Sequence, residues 1–261
     1  MAALSPNGFA LLVGVNDYSA YDKSGASNLR GSLNDVRVWL DVCLEIGIPA
    51  ENIRVLTSPA LPVEALRGAS SGPATAAGIG EGAAWLAEKL EGTAEPVGMF
   101  VYSGHGDLTQ NDGLVICPSD VTASGDDLVN AVSLLSLQKA LGGLQNLTTV
   151  LNCCHSGGGM AAGSRKTTSL RGLPWPSDPA AQPARPVISD RVFFAAQRGQ
   201  TAYQAEFMAG QTYGAFTWAF MTVKSQWTMV RDGATDVLTI SYEEMQKRTQ
   251  MLLNALSFGQ T

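Results

Sequence analysis

Two short segments concentrate the reactive side chains of the sequence. Tyr102-Ser103-Gly104-His105-Gly106 holds one of only two histidines, and Asn152-Cys153-Cys154-His155-Ser156-Gly157 holds the other beside two adjacent cysteines. A nucleophilic cysteine needs a partner that takes its proton and returns it to a leaving amine. Imidazole does this near neutral pH because its unperturbed pKa is about 6.5. Glycines bracket His105, which lets the ring approach a substrate and leaves neighbouring N–H groups open. Cys154 falls where an apolar run gives way to Ser156-Gly157-Gly158-Gly159, a sharp turn at a strand end. The main-chain N–H groups of Cys154 and Gly106 are then candidates for an oxyanion hole, where one lost donor costs about 2.7–4 kcal/mol of barrier.

Other uses of the same residues compete with this one. Free cysteines are among the most buried residues, so Cys43 and Cys117 read as packing. Cys153 and Cys154 alternate along a strand, so one of them faces the core, and we take that one to be Cys153. A zinc site from the two cysteines and two histidines is disfavoured, because adjacent ligands do not match the usual spacing of tetrahedral sites. His155 is a poor base for Cys154, since its neighbour on an extended chain points away from it. The residue types alone leave a Cys154–His105 dyad and a buried core cysteine as open alternatives.

The elements that must position these segments follow a regular plan. Phe9 to Val15 is apolar throughout, as in a strand covered on both faces within a parallel sheet. Val36, Trp39, Leu40, Cys43 and Ile46 recur at helical spacing until Gly47 and Pro49 stop them. Ile53 to Thr57 is a second strand, followed by a loop rich in Ala, Gly, Ser and Pro. Thr75 caps a helix through Trp85, Leu86 and Leu90. A third strand begins at Met99 and ends in the histidine segment. Asp112 to Asp120 is expected to extend the sheet with a hairpin, and a helix over Leu134 to Leu144 leads to the cysteine strand. Later come a strand over Val192 to Ala196, a helix from about Tyr213 through Met221, and a last helix with Ser241 and Glu244 as a capping box. Strands alternating with helices predict an α/β sandwich on a mostly parallel sheet. Both reactive segments sit just past strand carboxyl ends, where such sheets place ligands.

Composition narrows the function further. Seventeen basic against twenty-three acidic residues give a net charge of -6, so nothing resembles a nucleic-acid footprint. The 45% of hydrophobic residues support a sizeable core, and no apolar run approaches the roughly 20 residues of a membrane span. Four cysteines are too few for a disulfide scaffold. A cytoplasmic protein with free thiols is expected. Five of the twelve prolines lie between Gly158 and Pro186, a stretch too long and irregular to be an ordinary connection.

Several motifs, in order, resemble the caspase-like cysteine peptidases, in their metacaspase and prokaryotic orthocaspase branch. Phe9-Ala10-Leu11-Leu12-Val13-Gly14-Val15-Asn16-Asp17-Tyr18 is similar to their first strand, and Leu29-Arg30-Gly31-Ser32-Leu33-Asn34-Asp35-Val36 to the segment that follows. The histidine and cysteine segments match the two catalytic motifs, except that Asn152 stands where the family has Asp. Gln200-Thr201-Ala202-Tyr203 and Tyr213-Gly214-Ala215-Phe216-Thr217 resemble small-subunit segments. The resemblance implies a caspase-hemoglobinase fold, an α/β/α sandwich on a mostly parallel six-stranded sheet. It implies one catalytic domain in three parts: 1–157, like the large subunit; 158–187, a flexible linker cut on activation in many relatives; and 188–261, like the small subunit. Peptide bonds would be hydrolysed through a thioester on Cys154, with His105 as general acid and base.

Specificity is expected to follow the same resemblance. Asp35, Asn152 and Ser103 occupy positions of the pocket for the residue before the scissile bond (P1), which in metacaspases takes Arg or Lys. One carboxylate still pairs bidentately with arginine, so a basic P1 is expected, Arg ahead of Lys. An Asp-specific caspase and a catalytically silent module that binds a partner are the rival readings. Arg165, Lys166, Arg171 and Arg185 in the linker are candidate self-cleavage sites, and an upstream protease or regulator is a candidate activator. Calcium is disfavoured, because its candidate ligands Asp120, Asp126 and Asp127 are a thin set for six to eight oxygens, and no other cofactor is expected. Relatives suggest a role in bacterial cell death or antiphage defence. Ser257-Phe258-Gly259-Gln260-Thr261 is similar to a turn into the family's last strand, which would follow Thr261.

Overall fold

A computed structural model describes residues 5–109, 113–125, 127–153, 191–195, 204–208, 210–231, 234–237 and 242–255. In chain order the described elements begin with β1 (Gly8–Val15), α1 (Ser32–Glu45), β2 (Ile53–Ser58), β3 (Ser70–Pro73), α2 (Ala76–Glu91), β4 (Val97–Ser103), β5 (Gly106–Thr109), β6 (Gly113–Ile116), β7 (Thr122–Ser124), β8 (Asp127–Val129), β9 (Val132–Ser133), α3 (Leu134–Leu141) and β10 (Leu147–Asn152). They continue with β11 (Arg191–Phe194), β12 (Gln204–Met208), β13 (Gln211–Gly214), α4 (Ala215–Trp227), β14 (Thr228–Arg231), β15 (Ala234–Val237) and α5 (Tyr242–Ala255).

Among the described residues, six strands form one sheet in the order β11-β10-β4-β1-β2-β3, with every neighbouring pair parallel. The two-residue period of the strands divides the core into two layers. Ala10, Leu12, Met99, Val101 and Val150 face α1, α4 and α5, where they meet Trp39, Leu40, Phe216, Phe220 and Leu253. Leu11, Val13, Phe100, Tyr102 and Leu151 face α2 and α3, where they meet Ile79, Leu86, Leu137 and Leu141. This is the expected α/β/α sandwich. Its continuous apolar strands are what burial on both faces demands. No helix among the described residues is long and apolar enough to cross a membrane.

Local chemistry sets the helix limits. α1 ends where Gly47 takes a left-handed φ of 88°. Gly47 N–H then bonds the Leu44 carbonyl and Ile48 N–H the Cys43 carbonyl, the paired bonds of a Schellman end. Thr75 caps α2 by accepting from Gly78 N–H at 3.1 Å, as its position predicts. α3 is shorter than expected and stops at Leu141, because Gly142 leaves the helix and Gly143 sits at φ 83°.

Other elements depart from the sequence expectation. β3 is an edge strand of this sheet, inside a segment whose composition predicts a loop, and its Ser-Ser-Gly-Pro carries no apolar alternation. A proline closing a sheet-edge strand is tolerated because no ladder donor is needed there. The segment after the histidine does not extend the main sheet. β5, β6 and β9 form a separate antiparallel sheet, because the chain leaves the parallel ladder at Gly104. Tyr213 lies in β13, paired with β12, and α4 starts two residues later. Ser241 of the expected capping box lies outside the described residues, while Glu244 pairs with Arg248 along α5.

Candidate functional site

The strands β1, β4 and β10 end level with one another. Gly14 is registered with Ser103, and Ser103 with Asn152. The start of α1 lies close over these ends. A Cβ on Gly14 would stand 2.6 Å from Val36 and 3.0 Å from the Ser32 carbonyl, so glycine permits the approach. Gln204 of β12 supports the helix start by accepting from the N–H groups of Arg30 and Gly31. Asn16 accepts from Ser32 N–H. These bonds satisfy donors that a helix end leaves open, and they bring Asp35 to the strand ends.

Asp35 is 1% exposed and its carboxylate is surrounded by donors. Oδ2 accepts from Ser103 Oγ and from Asn152 Nδ2, both at 2.7 Å, and Oδ1 accepts from Gly214 N–H at 3.0 Å. Thr217 also bonds this carboxylate, and its Oγ accepts from Asn152 Nδ2 at 3.2 Å and from Trp39 Nε1 at 3.4 Å. Burial pushes the Asp35 carboxyl up to about 7, with the four donors pulling it back. Of the three residues expected to share one pocket, Ser103 and Asn152 are therefore both bonded to Asp35. Gly214 and Thr217 complete the cluster, and the sequence reading gave neither a role. Gly214 lay in a recognised segment, but only the fold shows that a Cβ there would overlap the Asn152 amide and stand 2.8 Å from Asp35.

His105 lies between β4 and β5 and is 2% exposed. Its Nε2 is 2.8 Å from the main-chain oxygen of Ser27. A carbonyl only accepts, so Nε2 carries the proton and Nδ1 keeps a lone pair. Asp22 organises the turn that presents this carbonyl, since its carboxylate accepts from the N–H and hydroxyl groups of both Ser24 and Ser27. Those hydrogen bonds, led by the Ser24 hydroxyl, hold the Asp22 carboxyl below the usual range. Burial pulls His105 down to about 4 against the opposing Ser27 bond, so the imidazole is neutral near pH 7.

The glycine before His105 has a second reason that spacing did not reveal. A Cβ on Gly104 would stand 2.5 Å from the Tyr102 hydroxyl and 2.7 Å from that of Tyr18. Gly106 opens β5 directly after the histidine. Asp107, a further buried carboxylate that the motifs did not single out, follows it. Burial, and then the charge of Asp107, push the half-buried Tyr21 up to about 12.

Cys153 follows directly after β10 and is buried in the layer facing α2 and α3. Cys154 lies outside the described residues, as do Arg165, Lys166, Arg171, Arg185 and Asp126. Asp120 accepts from Ala76 N–H at 2.8 Å at the start of α2, a position favoured by the helix dipole. Asp127 is exposed on β8. Among the described residues no three His, Cys, Asp or Glu side chains gather as a metal site.

A neutral imidazole with one fixed proton and one free lone pair can accept a proton from a thiol and give it to an amine. A family model described as the caspase domain matches residues 7–256. The comparison with curated proteins gives no match.

Proposed function

Because the chain belongs to the caspase-domain family, and is in general terms a caspase-like cysteine peptidase, we propose that it cleaves peptide bonds through a Cys154–His105 dyad, preferring arginine at P1. The observation that carries this reading is the bond from His105 Nε2 to the Ser27 carbonyl. It fixes the tautomer whose Nδ1 is a base. In the first step the Cys154 thiol proton passes to Nδ1 and the sulfur attacks the substrate carbonyl carbon. The N–H groups of Gly106 and Cys154 hold the oxyanion that forms. The imidazolium then gives its proton to the departing amine, leaving a thioester. Water attacks the thioester, loses a proton to His105, and the thiol is restored as the acid product leaves. The Ser27 carbonyl faces the ring throughout and favours its transient positive charge.

Asp35 supports the basic P1 preference, as a buried carboxylate at the ends of β4 and β10 with Ser103 and Asn152 bonded to it. An entering side chain competes with these donors. The planar guanidinium of arginine replaces two of them at once, whereas the ammonium of lysine replaces them less well. Arg171 and the other basic linker residues are substrates of the same kind, which makes self-processing, or cutting by an upstream protease, the route to activation in this reading. The family resemblance adds cell death or antiphage defence as its setting.

Turnover of matched fluorogenic peptides ending in Arg, Lys or Asp tests the reading. Hydrolysis after Arg that is lost in Cys154→Ala supports it. Hydrolysis confined to Asp peptides removes the Asp35 assignment, and no hydrolysis after linker cleavage favours a silent binding module.

A further inference from the structure

Beyond the dyad, we infer that Tyr18 is a positioning residue for His105, its ring covering the imidazole and its hydroxyl fixing the histidine main chain. The inference rests on the peptidase reading above, but not on its P1 preference. Tyr18 is fully buried, and its ring centroid lies 4.6 Å from that of His105 with the planes at 55°. His105 N–H donates to the Tyr18 hydroxyl at 2.7 Å, and that hydroxyl donates in turn to the Cys117 carbonyl at 3.2 Å. Cys117 N–H closes the circuit onto the His105 carbonyl at 3.0 Å. Tyr18 N–H donates to Asn28 Oδ1 at 2.8 Å, which ties the turn beside Ser27 to the same residue.

The need for this clamp comes from the sheet. The parallel ladder of β4 ends at Ser103 and the antiparallel pairing of β5 begins at Gly106. His105 falls in the break, where no ladder bond serves its N–H, and a buried orphan donor is costly. Tyr18 provides the acceptor, so the histidine turns out of the sheet without losing a bond. Tyr102, Cys117 and Cys153 are the other titratable groups packed there, and burial holds the phenols of Tyr18 and Tyr102 neutral. A neutral phenol can accept from His105 and donate to Cys117 at once.

Two readouts test the inference in the full chain. His155→Gln leaves His105 as the single histidine for imidazole nitrogen NMR, while turnover is followed on an arginine peptide. Tyr18→Phe keeps the ring and removes the hydroxyl, and is expected to lower kcat about ten- to hundredfold with KM within about twofold. Tyr18→Leu uncovers the ring, so His105 should titrate at higher pH and the acid limb of kcat/KM should move with it. Leu86→Ala, on the face of α2 buried against the sheet, should lower the melting temperature and leave kcat unchanged, which separates positioning from general stability. Wild-type kcat in Tyr18→Phe, or an unmoved His105 titration in a folded Tyr18→Leu, overturns the inference. Absence of Cys154-dependent turnover in the wild type overturns the peptidase reading instead, and the NMR titration then decides the Tyr18 contact by itself.

Discussion

Gly214 donates its main-chain N–H to the carboxylate of Asp35 at 3.0 Å, joining positions 179 residues apart. The bond ties the junction of β13 and α4 to the first turn of α1. It sits beside the bonds from Ser103 and Asn152, so one carboxylate gathers four segments of the chain. Burying a carboxylate is costly unless its lone pairs are filled, and here they are filled by donors from β4, from β10 and from the junction of β13 and α4. The cluster therefore holds the later part of the chain against the strand ends as well as lying where P1 is proposed to bind.

Gly214→Ala should damage this junction directly, because the added methyl overlaps the Asn152 amide and presses on Asp35. Overpacking of this kind costs about 1–3 kcal/mol. Urea unfolding should show that loss, and activity on every peptide should fall with it.

Asp35 and His105 should give opposite pH dependences of stability in nearly the same window. The Asp35 carboxyl is raised from 3.8 to about 7 on folding, so the folded state binds the extra proton. Its contribution to stability is full below about 4 and is lost as pH rises towards 7. His105 is lowered from 6.5 to about 4, so the unfolded state binds the extra proton there. Its contribution is present above about 6.5 and is lost as pH falls towards 4. The two should largely cancel in the wild-type protein. In His105→Gln stability should fall as pH rises through this window, and in Asp35→Asn it should rise. Urea midpoints at both ends of the window measure the two slopes.

Asn152→Asp should sharpen the pocket's charge and weaken the fold. The amide donates to both Asp35 and Thr217, and a carboxylate in its place loses those bonds and faces a like charge. A stability loss of about 1–3 kcal/mol is expected, larger at pH 8 than at pH 5. The ratio of Arg to neutral P1 turnover should rise, and peptide kinetics beside urea unfolding at the two pH values check both effects.

The parts of this architecture that follow from local chemistry were legible in the sequence. The apolar run of β1, the helical spacing of Val36, Trp39, Leu40 and Cys43, and the Thr75 cap all express short-range periods or single hydrogen bonds. β3 was not legible, because an edge strand of four small residues has no pattern to distinguish it from loop. Asp112 to Asp120 reads as a hairpin extending the main sheet, yet its strand β6 pairs in the separate sheet with β5 and β9, since nothing local marks the break at Gly104. Within the site, Asp35, Ser103 and Asn152 could be grouped through the resemblance of their segments. Gly214, Thr217, Ser27 and Tyr18 could not, because they act through main-chain groups or through contacts that exist only once distant segments meet.

Turnover of Arg, Lys and Asp peptides by the wild type, Cys154→Ala and His105→Gln most directly tests the dyad on which the rest depends. Cleavage after Arg that disappears in both variants, while both remain folded, is the expected result. Arg cleavage that survives in Cys154→Ala would contradict it.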